Sequence, residues 1–65
     1  MMTGIEYREE RRRRGLTQAG LALLVGVHKV TITKRETGVT PITVEAEIAL
    51  RSLPLKPKTQ ARVAS

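Results

Sequence analysis

The 65-residue chain contains no cysteine, no aspartate and no tryptophan, and it has a single histidine. Each absence removes a class of function. Without Cys there is no disulfide framework and no thiolate metal site, and nothing points to an oxidising compartment. One His without Cys also removes most zinc chemistry. The single His has no evident acid–base companion, so no catalytic constellation can be assembled. The chain is therefore expected not to be an enzyme and to hold neither a cofactor nor a metal. No apolar run approaches the roughly 20 residues of a membrane span. The opening stretch MMTGIEYREE lacks the cationic-then-apolar pattern of a secretory signal. A cytoplasmic location and no membrane partner are expected.

What the chain has in excess is positive charge, with a formal net charge of +6. A balance of this sign suits an anionic partner. The distribution is more informative than the sum. Residues 1–14 carry five Arg against three Glu, and residues 15–27 carry no charge at all, which suggests a helix largely packed in. Residues 28–35 hold Lys29, Lys34 and Arg35 with no acid. Residues 36–53 are slightly acidic, and residues 54–65 are basic again through Lys56, Lys58 and Arg62. A chain this short allows one domain, able to bury about 60% of its unfolded surface.

Four helical segments can be read, and no strand. The first runs from about Gly4 to Arg14 and ends at Gly15, a residue suited to the left-handed conformation after a helix. Thr17 is a good N-cap for the second, which ends at Gly26. The third runs from about His28 to Thr37 and stops at Gly38; Thr31 and Thr33 are mediocre helix formers, so tertiary packing must hold it. Pro41 breaks the chain, and Thr43 can cap a fourth helix to about Leu53, with Val44, Ile48 and Leu50 or Ala49 facing inward. Pro54 and Pro57 then forbid continuation. Residues 1–53 thus read as one helical domain and residues 54–65 as a basic, flexible tail.

Within this frame, residues 17–38 have a distinctive order. Apolar Leu21, Ala22 and Val25 precede the turn residue Gly26, and Val27 and Ile32 follow it. Two short helices joined by a tight turn, each with one buried stripe, form a helix-turn-helix. The second helix would then turn His28, Lys29, Val30, Thr33 and Lys34 outward, where a DNA major groove could receive them.

Arg11, the run GLTQAGLA at 15–22, GVHKVTI at 26–32, and ETG followed by a proline at 36–41 together carry a resemblance. Over roughly residues 4–53 the chain resembles the Cro/repressor-type, or XRE, helix-turn-helix family, and is most like short phage and mobile-element members. The resemblance implies an all-α, lambda-repressor-like domain of four to five helices that binds double-stranded DNA. It implies phosphate contact by Gln18 at the first turn of the second helix, which agrees with the affinity of a helix N-terminus for anions. Thr17 and His28 match helix-capping or backbone-contacting positions, and Thr40 matches the loop that tracks the phosphate strand. Lys29, Val30 and Lys34 match positions that read base edges, and Thr33 is placed to contact a base or phosphate from the same face. Arg11 and Glu36 match a partly buried ion pair between the first helix and the end of the third. The chain departs from the pattern at Arg35 and Glu10, where the family places large apolar residues; the cost is expected to be offset by pairing, with each other if the first helix crosses the third there, or by snorkelling of the Arg stem. It departs again at Leu23, where the family is polar.

The reading that follows is a sequence-specific regulator, a repressor or autoregulator, binding a palindromic operator as a homodimer. The remaining apolar surface for the dimer is expected around Ile42, Leu53 and the segment LPL. Such a protein would be nucleoid-associated and bacterial or phage-encoded. The alternative is an antitoxin-like or adaptor module whose residues 54–65 bind a protein partner.

Overall fold

The structure, a computed structural model, describes residues 1–55. Among them are four α-helices and no strand: α1 (Gly4–Arg13), α2 (Gln18–Val25), α3 (Lys29–Glu36) and α4 (Val44–Arg51). Of the tail expected over residues 54–65, residues 56–65 lie outside the described residues.

Local chemistry explains where α1 begins. Thr3 Oγ1 accepts from the Glu6 amide at 3.1 Å, and Glu6 returns a carboxylate oxygen to the Thr3 amide at 2.8 Å. This capping box satisfies two helix-end donors reciprocally. Met2 and Tyr7 stand at the positions of a hydrophobic staple flanking the box, and both are buried. Thr17 and Thr43 cap α2 and α4 by accepting from the amides of Gly20 and Ala46.

The core collects Met2, Tyr7, Leu21, Ala22, Ile32, Ile42, Ala46 and Leu50, with Leu16, Val25, Val27 and Leu53 packed around it. α2 is less enclosed than its neutrality suggests. Leu21 and Ala22 are buried, but Leu23 and Leu24 are 84% and 59% exposed, so the uncharged stretch is not a packed-in helix. α4 also differs from expectation. Its buried residues are Ala46 and Leu50, whereas Val44 and Ile48 face solvent. Ile42, just before the cap, is itself buried and fixes the phase: the stripe runs 42, 46, 50, 53, which turns 44 and 48 outward. Ile42 and Leu53 are consequently core residues rather than free apolar surface.

The two charged departures in the core region do not pair with each other. Glu10 faces α4 and is bound by Arg13, Arg14 and Arg51 at 3.0, 2.8 and 3.6 Å. Arg35 instead packs 5.8 Å from the centroid of the Tyr7 ring and donates to its hydroxyl at 3.2 Å. Arg14 is an interior residue in effect, its side chain only 6% exposed. Its guanidinium donates to the carbonyls of Leu53, Arg51 and Glu10 as well as to the Glu10 carboxylate. It thereby closes the carboxyl end of α4, where carbonyls lack helical partners. No buried side-chain nitrogen or oxygen among the described residues lacks a partner.

Gly4 sets the distance between α1 and α3. A Cβ there would fall 2.5 Å from the Glu36 carbonyl oxygen and 2.6 Å from that of Arg35, both backbone atoms. Gly4→Ala should therefore destabilise the domain although the exchange favours helix formation by about 1 kcal/mol. Thermal melts showing equal or higher stability would contradict this close approach.

Acid sensitivity follows from the carboxylates. The Arg14 hydrogen bond holds Glu10 below its ordinary value of 4.5, and the Thr3 amide does the same for Glu6. Groups depressed in this way stabilise the fold above their unfolded values and lose that contribution as pH falls through the folded ones. Urea titrations should show stability declining below about pH 4.5, with Glu10→Gln weakened at neutral pH and converging on the parent protein in acid. Parallel pH profiles for the two proteins would refute the assignment.

Candidate nucleic-acid interface

α2 and α3 meet through a turn built on Gly26, whose φ of 74° is in the left-handed region that side chains avoid. The Val27 amide donates back to the Ala22 carbonyl at 3.0 Å, closing the end of α2. Ile32, fully buried, anchors α3 against the core. The pair is a helix-turn-helix in geometry as well as in residue order.

α3 divides cleanly around its axis. Ile32, Arg35 and Glu36 face the protein; Lys29, Val30 and Lys34 face solvent, with Val30 57% exposed despite being apolar. Neither lysine has a carboxylate within 4 Å among the described residues. The outward face thus offers two uncompensated cations around a methyl-bearing side chain.

Thr33 and Gln18 are joined to each other. The Thr33 hydroxyl donates to Gln18 Oε1 at 3.1 Å, and Gln18 Nε2 donates to Glu36 Oε1 at 3.2 Å. Gln18 keeps a second amide hydrogen for an outside acceptor. Thr33 is turned toward α2 and is less available than the lysines beside it. Glu36 is also held by Arg11, whose Nε and Nη2 donate to its two oxygens at 2.7 and 3.1 Å. Arg11 Nη1 reaches the Leu16 carbonyl at 2.8 Å, ahead of α2. The two charged side chains are 11% and 4% exposed. One buried carboxylate therefore ties together α1, α2 and α3.

The capping and loop positions resolve differently. Thr17 uses its hydroxyl as a helix cap. His28 occupies the N-cap position of α3, but its imidazole makes no capping hydrogen bond and remains exposed. An imidazole lacks the short hydroxyl or carboxylate arm that reaches back to the first-turn amides. In the loop after α3, the amides of Gly38, Val39 and Thr40 all donate to carbonyls of the last turn, those of Arg35 and Lys34. The Thr40 side chain is then the loop's available polar group.

Three residues that hold the scaffold of this site escaped sequence reasoning: Gly4 and Tyr7 against α3, and Arg14 against α4. The capping pattern Thr3-Gly4-Ile5-Glu6 would have located the start of α1. No local pattern marks Arg14, because its partners on α4 are distant in sequence.

Among the described residues no helix is long and apolar enough to cross a membrane, and no cluster of His, Cys, Asp or Glu could hold a metal ion. Comparison with known proteins gives one match: the helix-turn-helix family HTH_3 matches residues 8–50, well over half of the chain. No curated protein and no solved structure matches significantly.

Removing one partner of a buried, hydrogen-bonded ion pair costs about 3–5 kcal/mol, because the other is left uncompensated. Glu36→Ala should lower stability by that order in denaturant titrations. A loss within experimental error would mean that Arg11 and Gln18 find other partners and that the three-helix junction does not depend on this carboxylate.

Proposed function

The chain belongs to the Cro/XRE-type helix-turn-helix family of DNA-binding transcription regulators, and on that premise we propose that it binds a palindromic operator sequence-specifically as a homodimer. The observation that carries this reading is the outward face of α3, where the side chains of Lys29, Val30 and Lys34 are exposed and neither lysine forms an ion pair among the described residues. Placed in the major groove, each lysine can donate to O6 and N7 of guanine, and Val30 can meet the methyl group of thymine. Gln18, at the start of α2, can offer a phosphate its remaining amide hydrogen, and Thr40 and His28 are further candidates for backbone contact. Such contacts fix register, while the base contacts specify sequence.

So few reading groups recognise only a short half-site, which favours two copies on half-sites about 34 Å apart. The exposed residues of α4 supply a surface for this. Val44 and Ile48 lie one turn apart at 67% and 61% exposure, and Leu55 beyond the helix is 48% exposed. Occupying an operator blocks polymerase access, so repression or autoregulation follows from binding alone.

The decisive experiment is selection from a randomised duplex library at two salt concentrations. An enriched palindrome with arms one helical turn apart is expected, and Lys34→Ala should relax particular positions, each by about 1–3 kcal/mol of discrimination. Salt-sensitive binding with no enriched sequence would overturn specific recognition. For the dimer, sedimentation of Ile48→Glu should show a monomer with weakened operator binding; an unchanged dimer would place the interface elsewhere.

A further inference from the structure

The arginines of α1 divide into two groups. Arg11 is bound to Glu36, Arg13 to Glu10, and Arg14 to Glu10 and to the carboxyl end of α4. Arg8 and Arg12 are exposed, form no ion pair among the described residues, and donate no side-chain hydrogen bond there. The division is spatial as well as chemical. Glu10 and Arg14 mark the edge of α1 that faces α4, where charges are interlocked with Arg51.

The opposite edge lies against α3. Residues 4, 8 and 11 form one helical row, and both ends of that row are fixed to the carboxyl end of α3: Gly4 against the carbonyls of Arg35 and Glu36, Arg11 on the Glu36 carboxylate. Arg8 lies between them on the solvent side of the row. Arg12 is one turn further along, beside Arg11, whose guanidinium reaches Leu16 at the approach to α2. Glu36 in turn receives Gln18. The two unpaired arginines therefore flank the junction at which the proposed phosphate-binding glutamine is held.

We infer that Arg8 and Arg12 form a phosphate-binding edge of the DNA interface, continuing from Gln18 along α1. This rests on the DNA-binding reading and deepens it. One strand of the duplex, contacted by Gln18 at the start of α2, passes on to Arg12 and then Arg8, about 6 Å apart along the helix axis. Unpaired guanidinium groups match phosphate oxygens in charge and in fork geometry. The edge adds affinity and fixes the angle of α3 in the groove, and it reads no sequence.

The test measures affinity of the full chain for a mixed-sequence duplex between about 50 and 200 mM salt. Variants are Arg8→Gln, Arg12→Gln, the double variant, and Arg13→Gln as a control of equal charge change on the α4 side. Each phosphate contact contributes about 0.9 to the slope of log affinity against log salt for every bound copy. The double variant should lose about twice that per copy, Arg13→Gln should leave the slope unchanged, and thermal melts of Arg8→Gln and Arg12→Gln should match the parent. Replacement of both by Lys should restore most of the slope. An unaltered slope in the double variant, with the parent binding DNA normally, would overturn the inference alone and direct the edge to an acidic protein partner. An equal loss in Arg13→Gln would also overturn it, by reducing the effect to net charge. A parent protein with no salt-dependent affinity for duplex DNA would overturn both this inference and the DNA-binding reading beneath it.

Discussion

The Glu36 carboxylate accepts hydrogen bonds from both Arg11 and Gln18, and this convergence constrains most of what surrounds it. A charge held at 4% exposure is tolerable only when its oxygens are fully satisfied. The last turn of α1, the first of α2 and the last of α3 must therefore meet at one point. Gly4 enforces the same meeting from the other end of α1, since only the absence of a side chain lets its first turn rest on the α3 carbonyls. With Thr31 and Thr33 in its middle, α3 has weak intrinsic helicity. Its position is supplied by these tertiary contacts.

Charge is used in two distinct ways in this small domain. On the α4 side of α1 it replaces apolar packing: Glu10 and Arg14 form a hydrogen-bonded junction that also closes the end of α4. Arg35 achieves a similar end by laying its guanidinium over Tyr7. Such long side chains cover apolar surface with their stems while their heads find polar partners. Beyond the Arg11–Glu36 pair, the cations on the α3 side of α1 and on the outer face of α3 are left without an ion pair among the described residues. The positive charge of the described residues is therefore uneven, with Arg8, Arg12, Lys29 and Lys34 unopposed by an acid there.

Much of this was legible in the sequence for identifiable reasons. Left-handed glycines and Thr caps are local signals, so the bounds of α2 and the turn at Gly26 could be read within a residue. The Arg11–Glu36 junction was legible only through family resemblance, because no local pattern links positions 25 residues apart. The phase of α4 was misread because Val44, Ile48 and Leu50 look equally apolar in a short helix; what decided it was the burial of Ile42, which lies outside the helix. The pairing of Glu10 was misread because its true partners, Arg14 and Arg51, lie partly on a helix whose docking angle the sequence does not state. Lys29, Val30 and Lys34 needed no such information, since exposure on α3 follows from helical periodicity once Ile32 is placed inside; Thr33, expected on the same face, is turned toward Gln18 instead.

The division of α3 into an inner and an outer face has a further implication. Ile32, Arg35 and Glu36 hold the helix in place, while the side chains of Lys29, Val30 and Lys34 hold nothing. On the reading proposed above, frame and address are written in different residues of the same eight-residue helix. Substitutions at the three outer positions meet little resistance from the fold, so if these residues read the bases as proposed, variants of this domain can drift toward new target sequences without first acquiring extra stability. The scaffold is in this sense a reusable holder for three exchangeable side chains.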